Sequence, residues 1–327
     1  MIMNSGHDSY SAVDIGFAHP ALLYRDSAEF VERTGQLVAD AVQASRPVLV
    51  ALPSTNLSLL RASLGGDAQW VRWIDMSEAG GNPGRLLPAV LGAFADRHVN
   101  RHVVMIGEPI WDGRRAREYG AAVQHEALIN LAFSNRRVTV VCPYATSKLS
   151  PATIVDAART HPELIEAGRL SRSTSYGDPA SVAAAAVGPL PDPPGDAAVL
   201  VIFDGHDLAK SRTFTKHHGR ELGLYGRRLE DLELAVHEAV VNTITHAPGP
   251  GTLRMWRRGG SVVCEIHDRG RIDDPLVGRH APGMDDEHGH GLPMIHQLCD
   301  LVHLQTDAVG TVLQLYMDIP QAVTRLE

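Results

Sequence analysis

The chain has 327 residues, of which 44% are hydrophobic and 21% charged, a composition typical of folded globular proteins and too apolar for general disorder. Because a single hydrophobic core rarely grows beyond roughly 250–300 residues, this length predicts two domains. The formal net charge of −8 and a pI of about 6.1 leave no basic surface of the kind that binds nucleic acid, so we expect no direct nucleic-acid partner.

Targeting signals and cysteine frameworks are also missing from the sequence. The N-terminal segment MIMNSGHDSYSAVD has no basic region followed by an apolar run, and no apolar stretch reaches the roughly 20 residues that span a bilayer. We therefore expect a cytoplasmic protein without a membrane partner. Cys142, Cys264 and Cys299 match neither a disulfide framework nor a zinc-ligand spacing, so we expect all three to be reduced and buried.

In the first half of the chain, short apolar runs rich in β-branched residues alternate with longer amphipathic segments. The predicted strands are residues 48–53, 70–76, 102–109 and 138–144. The predicted helices are residues 27–44, 83–99, 114–134 and 151–158, the last with Ser150 as its N-cap. Strands that are apolar at every position and separated by helices are typical of a parallel sheet covered on both faces. This half is predicted to be an open α/β sheet.

No phosphate-binding loop follows any of these strands. The segment LPSTNLSLL after the first predicted strand offers Ser54 and Thr55, but it lacks the glycines and the lysine of a P-loop. We therefore do not expect a second ATPase in this half.

Ser, Gly, Ala and Pro are concentrated in residues 171–197, which show neither helical nor strand periodicity. Such a stretch reads as a linker, with its PLPDPP segment extended and semi-rigid. It separates a predicted first domain, residues 15–170, from a second, residues 198–320.

In the second half of the chain, the predicted strands and helices follow one another in a different order. A strand at residues 198–203 precedes two long helical segments that end at His246. Two strands then flank the turn Arg258-Gly259-Gly260, which is typical of a hairpin. A polar loop, a short helix and two final strands complete an α+β pattern.

The second long helix carries the segment HEAVVNTITHA, in which Glu238, Asn242 and His246 recur every four residues. This spacing puts a carboxylate, an amide oxygen and an imidazole on one face of the helix, where they can address a metal-bound phosphate. Taken alone, the pattern is more often a solvated stripe on an amphipathic helix.

Two further motifs follow in order. DRGR begins at Asp268, at the end of a predicted strand, and GHGLPMI begins at Gly289, before a predicted helix. A carboxylate at a strand end can accept from a ligand donor, and exposed N–H groups at a helix start bind anions. The alternatives are a plain strand-exit turn and a flexible loop end.

In this order the three motifs resemble the N, G1 and G2 boxes of the GHKL ATPases, and most closely those of the anti-sigma regulatory factors, or anti-sigma serine kinases. The resemblance covers about residues 199–320 and includes Arg212, where that family tends to carry a basic residue. It implies an α+β GHKL (Bergerat) fold that binds ATP and Mg²⁺. Histidine kinases share the boxes, but here a Pro/Gly segment replaces their phosphoacceptor helix.

The resemblance also implies roles for the residues of the first box. Asn242 would coordinate Mg²⁺, for which an amide oxygen is a suitable ligand. Glu238 would act as the general base on the attacking hydroxyl. His246 would belong to the nucleotide-binding residues, with a helix-surface role as the alternative.

In the other two boxes, the resemblance implies that Asp268 accepts from the adenine amino group and that Gly270 leaves room for the ring. Gly289 and Gly291 would bring backbone N–H groups to the phosphates, and the helix from Leu292 would add its dipole.

One position departs from the family pattern. Ile272 stands where the family often has a second glycine, which predicts a reshaped lid hinge and weaker closure over the nucleotide. The lid also contains several histidines and aspartates, for which a solvated loop is favoured over a metal site. These residues are His280, Asp285, Asp286, His288 and His290.

In the first half, the segments GEPIWDGR, HEALIN and CPY are similar to the MEDS sensory domain of methanogens, methylotrophs and the dichloromethane regulator. This resemblance implies a degenerate RecA-like sheet and a small-molecule signal. The polar residues either meet at a crevice or play structural and packing roles, and the second alternative is favoured without an observed crevice. They are Glu108, Trp111, Arg114, His125, Glu126 and Cys142.

The combined hypothesis is a sensory anti-sigma factor that regulates transcription in a stress response. It would bind a sigma factor and phosphorylate a serine or threonine of a STAS-type antagonist. A non-catalytic regulator that sequesters its partner is the first alternative, and an atypical sensor histidine kinase the second. The oligomeric state is left open, a homodimer being one alternative.

Overall fold

A computed structural model of the chain describes residues 16–279 and 291–320. The chain forms two compact units. The first comprises Met1–Gly81 and Ala89–Ala183, and the second comprises Asn82–Pro88 and Ala184–Glu327.

The first unit is built on an eight-stranded sheet. Its strands are β1 (Phe17–Ala18), β2 (Pro20–Tyr24), β3 (Val48–Leu52), β4 (Val71–Asp75), β5 (Val103–Gly107), β6 (Val138–Ala145), β7 (Glu163–Glu166) and β8 (Arg169–Arg172). The order is β4-β3-β5-β6-β2-β7-β8, with β1 also paired to β6. All pairs are parallel except β7 with β8, so the predicted parallel α/β sheet is confirmed.

Among the described residues, seven α-helices accompany this sheet. They are α1 (Ser27–Gln43), α2 (Ser54–Ser63), α3 (Met76–Ala79), α4 (Ala93–Asp96), α5 (Ala116–Ala132), α6 (Pro151–Thr160) and α7 (Pro179–Ala186). A 3₁₀ segment, Gly65–Trp70, precedes β4. Asp26 caps α1 by accepting from the Glu29 N–H, and Ser150 caps α6, as predicted, by accepting from the Thr153 N–H.

The predicted helix at residues 83–99 is not regular. It consists of a 3₁₀ turn (Pro83–Arg85), a π-helical segment (Leu86–Gly92) and α4. Pro88 lies inside this stretch, and proline both removes a helical N–H donor and clashes with the carbonyl four residues earlier. A widened turn accommodates it.

The predicted linker, residues 171–197, is more ordered than its composition indicated. Strand β8 extends into it, and α7 lies within it with Val182 and Ala183 buried. Asp178 accepts a hydrogen bond from the Ser181 N–H at 2.9 Å, and a run of alanines follows. Local capping and the high helix propensity of alanine therefore outweigh the low complexity of the segment.

The second unit is a five-stranded antiparallel sheet with helices. Its strands are β9 (Ala198–Ile202), β10 (Gly251–Arg258), β11 (Ser261–Asp268), β12 (Leu301–Thr306) and β13 (Thr311–Asp318), in the order β12-β13-β11-β10-β9. Its helices are α8 (Asp207–Glu221), α9 (Gly226–His246) and α10 (Gly291–Leu298). Arg258 pairs with Ser261, which confirms the tight hairpin at Gly259-Gly260. The predicted α+β class is confirmed.

One face of α9 packs into the core of this unit. Its buried residues are Leu229, Leu232, Ala235, Val236, Ala239, Val240 and Thr243. They meet the inward side chains of the sheet, among them Leu253, Cys264 and Leu315. This packing fixes the rotation of α9 and thereby directs the opposite edge of the helix, with Glu238 and Asn242, away from the core.

Two general expectations concern the described part of the chain. No helix there combines the length and the apolar character needed to cross a membrane. Cys142, Cys264 and Cys299 are all free and buried, as predicted.

Candidate functional site

A cavity of about 590 Å³ opens in the second unit beside α9 and the end of β11. Its polar lining comes from α9, from the segment after β11 and from the start of α10. An apolar wall lies between these elements. The lining residues include Asn242, Thr243, His246, Ile266, Asp268, Gly270, Ile272, Gly278, Gly291, Leu292, Leu304, Thr311 and Leu313. The volume is that of a site for a nucleotide-sized ligand.

Asp268 is held rigidly in this cavity. Thr243 on α9 donates its hydroxyl to Asp268 Oδ2 at 2.6 Å, and the Gly270 N–H donates to Oδ1 at 2.8 Å. A carboxylate oxygen has more than one lone-pair direction, so Asp268 still accepts from a ligand donor. A side chain at position 270 would put its Cβ 2.9 Å from Asp268 Oδ1 and would displace the carboxylate.

A network of threonines braces the turn after Asp268. Thr311 donates to the Gly270 carbonyl at 2.9 Å and lies 3.0 Å from the Thr306 hydroxyl, which also accepts from the Ile272 N–H. The hydrogen bond from Ile272 anchors the backbone at the position where the sequence departs from the family pattern. Ile272 lines the cavity.

Glu238 and Asn242 face the first residue of α10. A Cβ added to Gly291 would lie 3.3 Å from Glu238 Oε2 and 3.3 Å from Asn242 Nδ2. The absence of a side chain therefore leaves a small polar cradle where a helix start, a carboxylate and an amide converge. Such a cradle fits a phosphate with a hard cation such as Mg²⁺, for which the Asn242 oxygen is a suitable ligand.

The structure thus brings most of the residues predicted for the site together. Asn242, His246, Asp268, Gly270, Gly291 and Leu292 all line the cavity. Glu238 lies next to the cavity, because its Oε2 would be 3.3 Å from a Cβ placed on Gly291, which lines the cavity. His246 is exposed at the last residue of α9. Gly289 and the lid residues His280, Asp285, Asp286, His288 and His290 lie outside the described residues.

Sequence reasoning missed the threonines that position the site. Thr243 is buried on the core side of α9, immediately after Asn242. A polar residue among the apolar positions of an amphipathic helix was the available signal, because a buried hydroxyl requires a partner. Thr306 and Thr311 gave no local signal, since threonine is common in strands.

In the first unit, the polar residues proposed for a crevice separate into distinct groups. Glu126 and Cys142 are both fully buried and in contact, with Cys142 Sγ 3.2 Å from Glu126 Oε2. His19 and His161 complete this group, and sequence reasoning had singled out neither. Burial lowers the pKa of His19 to about 4, so its imidazole is neutral at pH 7.

Glu108 lies elsewhere, at the end of β5. It accepts from Tyr24 at 3.0 Å and from Asn56 at 2.7 Å. Tyr24 and its neighbours form the core on the face of the sheet opposite Cys142, since adjacent strand residues alternate between faces. Burial raises the pKa of Glu108 to about 7 despite both hydrogen bonds. Glu108 therefore bonds to the face of the sheet opposite Cys142.

Arg114 forms a third group. Its guanidinium donates to the Gly80 carbonyl at 2.8 Å and to Glu118 at 3.2 Å, and it stacks over Trp111 at 4.2 Å. Burial lowers the pKa of Arg114 to about 10, which still leaves it charged at pH 7. His125 is buried on α5. Arg114 and Trp111 therefore pack against each other within the first unit.

Comparison with known proteins gives one family match for each half of the chain. Residues 18–162 match the MEDS domain, the MEthanogen/methylotroph, DcmR Sensory domain, and residues 204–317 match the Histidine kinase-like ATPase domain. Both matches confirm the resemblances drawn from the motifs. No curated protein matches the chain.

Among solved structures, the chain is similar to the crystal structure of the RsbU and RsbW domains of Rv1364c from Mycobacterium tuberculosis. The identity is 19% and the TM-score 0.29, over 38% of this chain and 33% of that chain. The chain therefore matches about a third of the length of that structure.

Proposed function

We propose that this chain is a sensory regulator whose second unit binds ATP with Mg²⁺, holds a sigma factor and phosphorylates a serine or threonine of a STAS-type antagonist. The observation that carries the proposal is the convergence of Glu238, Asn242 and Gly291 at one end of the cavity that holds Asp268. The match to the ATPase family supports nucleotide binding. The sigma factor and the antagonist rest on the resemblance of the motifs.

Asp268 and the apolar wall of the cavity would bind the base. The carboxylate, fixed by Thr243 and Gly270, would accept from the adenine amino group. Because both neighbours already hold the carboxylate in place, little side-chain freedom is lost when the ligand binds. The phosphates would extend toward Gly291, where the N-terminus of α10 offers N–H groups.

Phosphoryl transfer would then require a base near the phosphates. Glu238 would take the proton from the hydroxyl of the antagonist as its oxygen attacks the γ-phosphorus. The bond from that phosphorus to the β–γ bridging oxygen would break, and ADP would leave. Mg²⁺, held by Asn242, would neutralise the phosphate charge when bound.

Transfer of labelled phosphate from ATP to a set of candidate STAS antagonists tests the catalytic step. We expect Glu238→Ala to reduce the rate by roughly 10²–10⁴-fold, the usual contribution of a general base. Glu230→Ala is the matched control, because Glu230 is an exposed carboxylate earlier on the same helix. No transfer with any antagonist, or equal rates in wild type and Glu238→Ala, would remove catalysis from the proposal.

Ile272 favours a second candidate function, in which the nucleotide binds but the partner is only sequestered. Ile272 lines the cavity at a position where a glycine would leave the backbone freer. Calorimetry distinguishes the candidates together with the transfer assay. ATP binding without transfer supports the sequestering regulator, and acid-labile autophosphorylation would instead indicate a histidine kinase.

A further inference from the structure

Four side chains with metal-binding atoms meet in the interior of the first unit. They are His19, between β1 and β2, Glu126 on α5, Cys142 on β6 and His161, directly after α6. Each is at most 1% exposed, and their ligand atoms all lie within 4.8 Å of one another. Burying this many polar groups is costly unless their charges and hydrogen bonds are satisfied.

Glu126 Oε2 contacts the ligand atoms of the other three residues. It lies 3.2 Å from His19 Nε2, 3.2 Å from Cys142 Sγ and 3.3 Å from His161 Nε2. Cys142 Sγ is also 3.5 Å from His19 Nε2. The other carboxylate oxygen, Oε1, accepts from Tyr144 at 3.2 Å and is thereby held away from the centre.

The surrounding hydrogen bonds decide where the proton of His19 lies. The Asn130 amide nitrogen faces carbonyl oxygens, including Thr160 O at 2.8 Å and Ala127 O at 3.1 Å, so it is the donor end of that side chain. Asn130 Oδ1 is therefore the acceptor, 3.1 Å from His19 Nδ1. In the neutral imidazole Nδ1 carries the proton, and Nε2 presents a lone pair to the centre.

His161 has the same arrangement. Its Nδ1 lies 2.8 Å from the Ala157 carbonyl, which can only accept, so Nδ1 is the protonated nitrogen. Its Nε2 is buried and has no hydrogen-bond partner among the described residues. Two imidazole lone pairs and a carboxylate oxygen thus converge, with the Cys142 thiol proton as the one donor directed at them.

We propose that His19, Glu126, Cys142 and His161 form a closed binding site for a divalent transition-metal ion of the zinc type. A cation at the centre satisfies three converging lone pairs and the thiolate together. Two imidazoles, one thiolate and one carboxylate are ligands that zinc accepts in tetrahedral sites. The hydrogen bonds from each Nδ1 to an oxygen are the outer interactions that orient metal-bound histidines.

The distances agree with this assignment. Metal–ligand bonds of about 2.0–2.3 Å in a tetrahedron place neighbouring ligand atoms about 3.3–3.6 Å apart. Four of the six distances among these atoms, 3.2, 3.2, 3.3 and 3.5 Å, lie close to that range. The other two distances are at most 4.8 Å, so the four atoms are near enough together to bind one ion.

Because all four positions come from the protein and none is exposed, the site is structural rather than catalytic. Its ligands come from the junction of β1 and β2, from β6, from α5 and from the connection between α6 and β7. Metal binding would therefore couple to the folding of the first unit, and the ion would enter during folding rather than afterwards.

Metal content of the full-length protein, expressed with added Zn²⁺ and purified without chelator, tests the site. We expect one equivalent of metal per chain. After unfolding with chelator, refolding with Zn²⁺ should restore a higher melting temperature than refolding without it. Wild-type protein that carries no metal after both procedures, with the same melting temperature, overturns the proposal whether or not any variant folds.

Refolding with Co²⁺ identifies the ligands, because a thiolate bound to cobalt gives a charge-transfer absorption. We expect Cys142→Ser to lose this absorption and Cys264→Ser, an equally buried thiol in the second unit, to keep it. An unchanged absorption in Cys142→Ser overturns the assignment. The exposed group His217, His218 and Glu221 on α8 is the competing site. His217→Gln should retain full metal content, and loss of the metal in that variant also overturns the proposal.

Discussion

At Glu108, burial and hydrogen bonding shift the pKa of the carboxyl group in opposite directions. Its carboxylate accepts from Tyr24 and Asn56, and both hydrogen bonds favour the charged form. Removal from water works in the opposite direction and is the larger effect, because Glu108 is 1% exposed. The result is a carboxyl group that changes its charge near neutral pH.

This raised pKa predicts a pH dependence of stability. The folded protein holds the proton of Glu108 up to about pH 7, whereas the unfolded chain releases it near pH 4.3. The stabilisation is therefore complete below about pH 4 and is lost as the pH rises through about 7. Since one pKa unit corresponds to about 1.4 kcal/mol, wild type should lose up to about 3 kcal/mol relative to Glu108→Gln between pH 4 and 8.

Melting temperatures measured across this pH range check the prediction. The control is Glu166→Gln, which alters an exposed glutamate on β7 and should follow wild type. Parallel curves for wild type and Glu108→Gln would show that the carboxyl group is already ionised in the folded state at low pH, contrary to the prediction.

At the scale of elements, helix α10 has an unusual C-terminal cap within the second unit. Asn82 is fully buried, and its amide nitrogen donates to the His296 carbonyl at 2.9 Å and to the Cys299 carbonyl at 3.3 Å. Its oxygen accepts from the Gly84 N–H at 3.1 Å. The last carbonyls of a helix have no partner within the helix, so this side chain satisfies groups that burial would otherwise leave unpaired.

We therefore expect Asn82→Ala to destabilise the second unit by about 1–3 kcal/mol, the cost of leaving buried backbone groups without a partner. Urea unfolding, followed by circular dichroism, measures the loss. Asn100→Ala alters an exposed asparagine and should change stability by less than about 0.5 kcal/mol. Equal midpoints for the two variants would mean that water replaces the amide at the end of α10.

At the scale of the whole molecule, nucleotide binding and folding are linked. A ligand that binds only the folded state stabilises it, and ATP at 100 times its dissociation constant would contribute about 2.7 kcal/mol. For a unit of this size, the melting temperature should rise by roughly 5–10 °C. Scanning calorimetry with and without ATP and Mg²⁺ measures the rise.

The rise in melting temperature should depend on the Asp268 carboxylate in the cavity. Asp268→Asn should lose most of the rise, because it removes the carboxylate that Thr243 and Gly270 orient. Asp273→Asn is the matched control, since Asp273 lines the same cavity but its side chain is 80% exposed and pairs with Arg271. Equal rises in the two variants would argue against adenine binding at Asp268.

The sequence by itself determined those features that local spacing encodes. Glu238 and Asn242 are one helical turn apart, so any helix there brings them together, and the structure has that helix. Apolar runs predicted the strands β3 to β6, and Gly259-Gly260 predicted the hairpin. The order of the three boxes predicted the fold of the second unit, and the family match supports that prediction.

Only the tertiary structure decided which distant residues meet. Thr243 orients Asp268 from 25 positions away, and His19 reaches Glu126 across 107 positions. Neither contact leaves a periodic signal, because each depends on how helices and strands pack rather than on spacing within one element. The sequence left open whether Cys142 joins a polar crevice or is only a buried thiol, whereas packing surrounds it with two imidazoles and a carboxylate. Burial, which is a property of the assembled core, gives these groups their altered chemistry.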